Sequence, residues 1–96
     1  MVHFEWDREK ELLNVQKHGV NFKTAMLAFE DPRRWITVDD RHSWGEIRFF
    51  CFGKVDESVL TVRFTYQGEA IRIIGAGYWR KGRKFYEEKE SKRGYL

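Results

Sequence analysis

The pattern of hydrophobic and polar positions changes its period along the chain and separates helical from strand-forming segments. From 8 to 18, polar residues surround Leu12 and Leu13, which predicts a helix that buries these two leucines. Asp7 is a good N-cap for this helix, and Gly19 supplies its C-terminal stop. The chain therefore begins with a helix of about three turns after a short aromatic run at 3–6.

A second, shorter helix is predicted directly after the first. Asn21 is its N-cap, and an apolar stripe at helical spacing follows, formed by Phe22, Ala25, Met26 and Phe29. Asp31-Pro32 ends this helix, because the residue before a proline disfavours the helical conformation. With about two residues between them, the two helices should form a hairpin.

The middle of the chain is rich in β-branched and aromatic residues and predicts four strands, at 35–38, 46–53, 59–66 and 70–76. Turn-like stretches at 39–45, 56–58 and 67–69 separate them, which suits an antiparallel meander. A last helix is predicted over about 79–92, weakened by Gly82. The predicted fold is a single α+β domain over 1–96: two N-terminal helices on an antiparallel sheet of four strands, or five with 3–6, and a C-terminal helix.

Alternation in the strands predicts a polar sheet face that carries arginines. In the third predicted strand Leu60, Val62, Phe64 and Tyr66 alternate with polar residues, so that Arg63 lies on the polar side. Arg48 and Arg72 occupy the same side of the neighbouring strands, and three guanidinium groups there would form a surface suited to a phosphate backbone. The alternative is that these arginines pair with acidic neighbours such as Glu46, Glu69 or Asp56.

The composition limits the classes of protein to which this chain can belong. At 96 residues and 42% hydrophobic, the chain suits one folded domain, and the single Cys51 allows no internal disulfide. No window approaches the length of an apolar membrane span, and no signal-peptide pattern is present, so we expect a cytoplasmic protein without membrane contact.

The net charge of +3 is unevenly distributed. Residues 1–70 carry ten Lys/Arg and twelve Asp/Glu, whereas residues 71–96 carry eight against three, so that a balance of −2 is followed by one of +5. Within this part, residues 72–84 carry five Lys/Arg and no acidic residue. Such a basic block binds phosphate more often than it binds an acidic protein, although it also suits a solvated surface.

The charge order of the last helix is unfavourable for helix stability. Basic residues occupy its first half and acidic residues its second half, the reverse of what the helix dipole prefers: Arg80, Lys81, Arg83 and Lys84, then Glu87, Glu88 and Glu90. A polyanion bound near the helix start would explain this order. If the helix instead begins later, Arg80 and Lys81 are loop residues.

Few residues suggest catalysis by themselves. The chain has no phosphate-binding glycine loop, no zinc signature and no nucleophile motif, and we expect no metal or cofactor. His18 and His42 are candidates for proton transfer, with a helix-capping role open for His18 and simple solvation open for His42. Trp44, Tyr78 and Trp79 are candidates for stacking on unpaired bases, although we expect two of the three to serve packing.

Taken together, these residues resemble the BrnT family, the toxin half of a bacterial type II toxin–antitoxin pair with a RelE-like fold. The similar segments cover nearly the whole chain: 4–22, 29–32, 40–48, 71–74 and 86–87. The most specific part is a pattern in the first helix, carried by Asp7, Asn14, Lys17, His18 and Gly19. The resemblance implies a metal-independent ribonuclease that arrests translation by cutting RNA. It also implies a BrnA-type antitoxin partner, through which alone the complex would contact DNA.

Candidate site residues follow from the arginine pattern and the resemblance together. We assign stabilisation of the phosphoryl charge to Arg63, Arg72 and Arg80, and proton transfer to His42 and Glu46. RNA binding is assigned to a further set that is mostly basic: Arg48, Lys81, Arg83, Lys84, Lys17 and His18.

The chain departs from the family pattern near its C-terminal end. Gly77 stands where the family usually has arginine, Gly82 where it has glutamate, and Gln67 where it has a hairpin arginine. These departures leave two functions open: a ribonuclease toxin, or a catalytically impaired relative that binds RNA or a protein partner.

Overall fold

The structure, a computed structural model, describes residues 2–42 and 45–93, and for His42 the backbone only. Three α-helices are present among these residues: α1 Arg8–His18, α2 Phe22–Leu27 and α3 Arg80–Arg93. A single 3₁₀ turn, Ala28–Glu30, follows α2, and a second, Asp40–His42, lies farther along the chain. The five strands are β1 His3–Trp6, β2 Trp35–Val38, β3 Arg48–Val55, β4 Ser58–Gln67 and β5 Ala70–Gly77. Within the described ranges, no helix combines the length and the apolar character needed to cross a membrane.

The strands form one mixed sheet in the order β1-β5-β4-β3-β2. The pairs among β2, β3, β4 and β5 are antiparallel, as the meander pattern predicts. The prediction of a purely antiparallel sheet is wrong, because β1 lies parallel to β5, from His3 opposite Ala70 to Trp6 opposite Ile73. Side-chain alternation does not encode strand direction, and a parallel pair only requires a long crossover, which the chain between β1 and β5 supplies.

Each face of the sheet carries its own hydrophobic core. The 3₁₀ turn Ala28–Glu30 and α2 cover one face, where Phe22, Ala25 and Phe64 are fully buried. The opposite face is partly covered by α3, with Phe52, Val59 and Tyr86 at the centre of a smaller cluster. The apolar stripe predicted for the second helix is confirmed, since Met26 and Phe29 pack against the first core.

Helix α1 runs along the edge of the sheet and is held there by a buried asparagine. The Asn14 amide nitrogen donates to the carbonyl oxygens of Val20 and Ala76 at 2.9 and 2.8 Å, and the amide oxygen accepts from the Ala76 N–H at 3.1 Å. The strand β1 ends opposite Ile73, so Asn14 satisfies backbone groups of β5 that no strand pairs. This contact turns the opposite side of α1 to solvent.

The predicted burial of Leu12 and Leu13 is wrong. These side chains are 57% and 54% exposed, because the helix face that carries Asn14 is the one turned to the sheet. The buried side of α1 thus carries a polar residue, Asn14, where an amphipathic helix normally carries apolar ones.

The last helix lies unusually close to the sheet at Gly82. A Cβ atom at this position would lie 1.9 Å from the Thr61 Oγ1 and 3.1 Å from the Phe52 ring. Gly82 therefore does more than weaken the helix, because the missing side chain permits the helix to contact β3 and β4 directly. The observed helix begins at Arg80, so the alternative in which Arg80 and Lys81 are loop residues is wrong.

The carboxylate of Asp31 joins three parts of the fold. It accepts hydrogen bonds from the backbone N–H groups of Arg33 and Lys54, both at 2.8 Å, and from the Tyr86 hydroxyl at 2.6 Å. Burial alone would raise the pKa of Asp31, but these hydrogen bonds outweigh it and lower the pKa below 3.8. The pKa of Tyr86 is raised, by burial first and by the bond to the carboxylate second.

Asp31→Asn is expected to destabilise the fold by about 1–3 kcal/mol at neutral pH, because it weakens charge-assisted hydrogen bonds. A carboxyl group with a lowered folded-state pKa stabilises the fold above its unfolded pKa and loses that effect as pH falls through the folded pKa. The difference between wild type and variant in urea denaturation should therefore shrink below pH 3.8. Asp56→Asn in the exposed β3–β4 turn is the control. A stability difference between wild type and Asp31→Asn that stays constant from neutral to acidic pH would show that the charge of Asp31 does not stabilise the fold.

Candidate active site

The structure places Arg48, Arg63 and Arg72 on one face of the sheet, as the strand pattern predicts. Arg48 lies opposite Thr65 in β4, and Thr65 lies opposite Arg72 in β5, so these residues form a row across three strands. Arg63 is two residues from Thr65 on the same face. We call this surface, defined by the three arginines, the arginine face. It is the half of the sheet face that α3 leaves uncovered, since α3 packs over Phe52 and Thr61.

Each arginine of this face lies beside a carboxylate and keeps part of its side chain in solvent. The Arg72 Nη1 donates to the Glu5 Oε2 at 2.9 Å, and the Arg48 Nε lies 3.6 Å from the Glu46 Oε2. The Arg63 Nε lies 3.6 Å from the Asp39 Oδ2. The alternative in which the arginines pair with acidic residues is confirmed for Glu46, the partner of Arg48. Arg72 and Arg63 pair with Glu5 and Asp39, and not with Glu69 or Asp56. The exposed fraction of the side chain is 29% for Arg48, 27% for Arg63 and 31% for Arg72. Pairing therefore leaves all three arginines within reach of a ligand.

Arg63 lies at a break in the sheet register. It is opposite Gly75 in β5, while the next residue, Phe64, is opposite Ile73, so Ile74 is an extra residue in β5. Such a β-bulge bends the strand and redirects side chains, and bulges are frequent next to active sites. A cleft lies beside this bulge, between β5 and α1, and Arg63, Ile74 and Gly75 are among its lining residues.

This cleft has a volume of about 280 Å³ and joins residues from distant parts of the sequence. We call it the α1 cleft. Basic and aromatic side chains from α1, from β4 and from the residue before α3 line it, among them Lys10, Lys17, His18, Arg63 and Trp79. The His18 and Trp79 rings meet edge to face with centroids 5.0 Å apart. Lys17 and His18 were assigned from the family pattern and Arg63 from strand alternation, and the structure brings all three together.

Lys10 was missed by the sequence reasoning, although a signal for it exists. Lys10, Asn14, Lys17 and His18 follow one another at intervals of four, three and one, which puts them on one face of a helix. Because Asn14 turns that face to β5, both lysines and the histidine reach the cleft.

Asp39 was also missed, and no feature of the sequence pattern marks it. Its side chain is 3% exposed, directly after β2, where the pattern predicts only a turn. Its backbone N–H donates to the Arg48 carbonyl at 2.7 Å, which fixes the residue beside the arginine face. The buried carboxylate attracts the Arg63 guanidinium by charge, at an ion-pair distance of 3.6 Å.

Residues predicted near the start of α3 are divided between two sides of the helix. Arg80 and Arg83 line a separate cleft of about 430 Å³ at the β3–β4 turn, together with Lys54, Tyr78 and Glu87. Lys81 lies on the other side of the helix, towards Phe50 and Trp79, and Lys84 is exposed. The structure thus does not bring Arg80 into the cleft that contains Arg63.

The predicted proton-transfer pair is only partly described. Glu46 is exposed and lies beside Arg48 as stated above. The side chain of His42 lies outside the described residues, and so does Trp44, a candidate for base stacking. Of the other two stacking candidates, Tyr78 is 47% exposed, and the Trp79 ring lies against Gly77.

The glycines that depart from the family pattern have structural roles in this chain. A Cβ atom at Gly77 would lie 2.5 Å from the Trp79 ring, so this glycine provides the surface on which Trp79 lies. Gly82 permits the close contact of α3 described above. Among the described residues, no group of three His, Cys, Asp or Glu side chains is placed to hold a metal ion.

A mixed sheet with an arginine face and a basic cleft at its edge defines a small α+β protein suited to binding phosphate. The family model for the ribonuclease toxin BrnT of type II toxin–antitoxin systems matches residues 6–82. The chain belongs to this family, which confirms the resemblance and implies an antitoxin partner. No curated protein matches the chain.

Proposed function

We propose that this chain cuts RNA without a metal ion, with the scissile phosphate in the α1 cleft, and thereby arrests translation until an antitoxin binds it. The observation that supports this most is the meeting of Lys10, Lys17, His18 and Arg63 in one cleft. Three cations and one imidazole at one place supply charge stabilisation and a side chain able to transfer a proton.

The chemistry requires only groups that the chain contains. The ribose 2′-hydroxyl attacks the adjacent phosphorus, its proton goes to a base, and the bond from phosphorus to the 5′-oxygen breaks as that oxygen takes a proton from an acid. The products are a 2′,3′-cyclic phosphate and a 5′-hydroxyl. Arg63 and Lys17 stabilise the negative charge on the phosphoryl oxygens, and His18 performs one proton transfer.

The second proton transfer is assigned to the segment 40–48, which contains His42 and Glu46. This segment follows Asp39, the partner of Arg63, so it begins beside the arginine face. Arg48 and Arg72 bind the phosphates that flank the scissile one. Arg80, Lys81, Arg83 and Lys84 bind phosphates farther along the strand, on either side of α3.

A second candidate function is RNA or partner binding without cleavage. Gly77 and Gly82 favour it, because the resemblance places an arginine and a glutamate there. The positions are filled by packing: the Trp79 ring covers Gly77, and α3 meets the sheet at Gly82.

Incubation of the purified protein with total RNA in the presence of EDTA separates these functions. Cleavage with 2′,3′-cyclic phosphate ends, and arrest of a cell-free translation reaction, are expected for the wild type. Lys17→Ala should cleave more slowly, whereas Lys23→Ala, on an exposed position of α2, should cleave normally. Intact RNA, with binding retained, would instead support the non-catalytic function.

A further inference from the structure

Beside the arginine face lies a cavity of different character, between α3 and the sheet. It has a volume of about 390 Å³, and we call it the aromatic slot after the four rings that line it: Phe50, Phe52, Phe85 and Trp79. Phe52 is buried at the floor, with ring centroids 5.7 Å from Phe50 and 4.7 Å from Phe85. Phe50, Phe85 and Trp79 are half-buried, so they present ring surface to a ligand.

The slot adjoins the proposed cleavage site directly. Phe50 of β3 is the register partner of Arg63 in β4. Trp79 lines both the slot and the α1 cleft, so the two cavities have this residue in common. Because directly opposite residues of antiparallel strands have Cβ atoms about 4.5–5.5 Å apart, a base stacked on Phe50 would lie close to a phosphate beside Arg63.

The charges around the slot favour a nucleic acid over an apolar protein segment. Lys81 lies at its rim, and Arg63 and Arg48 of the arginine face lie on the strands that form its floor. A ligand must therefore combine an apolar, flat part with negative charges next to it. Unpaired nucleotides have this composition, since every base has a ring face and every linkage a phosphate.

We propose that the aromatic slot binds one unstacked base of single-stranded RNA, next to the phosphate held by Arg63. This inference rests on the proposed function and specifies its substrate as RNA with an unpaired nucleotide at the cleavage site. Among the described residues of the lining, the one hydroxyl, that of Thr61, is buried against Gly82. The slot should therefore stack any of the four bases with similar strength, because stacking alone does not read hydrogen-bonding edges.

Binding of a short, fluorescein-labelled single-stranded RNA with 2′-O-methyl groups, which prevent cleavage, tests this proposal. An abasic site moved through the oligonucleotide should weaken wild-type binding about tenfold at one position. Exchange of the base at that position should change affinity much less. Equal affinity for the intact oligonucleotide and for every abasic one would overturn the proposal without the use of any variant.

Two variants locate the effect. Phe50→Leu and Phe85→Leu keep apolar volume but remove a ring, so they should bind the intact oligonucleotide about fivefold to tenfold more weakly and lose the sensitivity to the abasic site. Their salt dependence should stay that of the wild type, because the phosphate contacts are unchanged. Phe4→Leu, on the opposite sheet face where its ring meets Phe29, is the matched control.

The outcomes separate this proposal from the proposed function. Wild-type protein that binds no RNA would overturn both. Normal RNA binding by both slot variants, with the abasic effect retained, would overturn only the slot proposal. If the two slot variants capture the co-expressed antitoxin more weakly and their RNA affinity is unchanged, the slot proposal is overturned as well. The occupant of the slot would then be a side chain of the antitoxin.

Discussion

Replacing Arg63 by alanine is expected to lower the rate of RNA cleavage on the order of 10²- to 10³-fold. The reason is its place at the β-bulge, because Arg63 lines the same cleft as Lys17 and His18 and its Nε lies 3.6 Å from the Asp39 carboxylate. A preoriented donor stabilises transition-state charge without reorganisation, so its loss should lower kcat more than it raises KM.

Two further variants isolate the effect of the Arg63 side chain on the cleavage rate. Arg34→Ala is the matched control, since Arg34 is exposed and lines a cleft on the opposite face with Ile36 and Tyr66. Arg63→Lys should recover part of the rate, because the charge is kept but the planar donor fork is not. Equal cleavage rates for wild type, Arg63→Ala and Arg34→Ala would remove Arg63 from the site.

Replacing Asn14 by alanine is expected to lower the free energy of unfolding by about 3 kcal/mol, because three hydrogen bonds are lost and both backbone groups of Ala76 are left unpaired. The substitution should also release α1 from the edge of β5. Lys17 and His18 would then lose their fixed position relative to Arg63, and cleavage should fall even where the variant is folded.

Urea denaturation measures the first effect, and cleavage well below the denaturation midpoint measures the second. Gln16→Ala is the control, since Gln16 is exposed on the same helix and its replacement should change stability by less than about 0.5 kcal/mol. A loss of stability with a normal cleavage rate would mean that Asn14 serves the fold alone.

Patterns of short range predicted much of this fold. The helices α1 and α2 follow from caps at Asp7 and Asn21, whose side chains accept backbone hydrogen bonds as expected. The position of Arg63 on the face of Arg48 and Arg72 follows from strand alternation, since a period of two fixes the side of every residue.

The errors arise where tertiary contacts outweigh local pattern. Leu12 and Leu13 are exposed because the buried position of α1 belongs to Asn14, and hydrogen bonds to a strand edge leave no hydrophobic signal. The parallel pairing of β1 and the pairing of Arg72 with Glu5 depend on residues far apart in sequence.

The candidate site was predicted in pieces rather than as a unit. Strand alternation selected Arg63, and the family pattern selected Lys17 and His18, but no pattern relates α1 to β4. Their meeting depends on the end of β1 at Trp6, which exposes the edge of β5 to α1, and on the bulge opposite Arg63. Residues close in sequence can also be separated by the fold: Arg80 and Lys81 are neighbours in the chain but line cavities on different sides of α3.

Mapping a bound substrate on the protein tests whether the scissile phosphate lies in the α1 cleft. In an isotope-labelled sample titrated with the non-cleavable 2′-O-methyl RNA, we expect the largest NMR shift changes at the amides of the α1 cleft: Lys17, His18, Arg63, Gly75 and Trp79. Smaller changes should extend over Arg48 and Arg72. Shift changes confined to α2 and the opposite sheet face, or to the cleft of Arg80 and Arg83, would show that RNA does not bind in the α1 cleft.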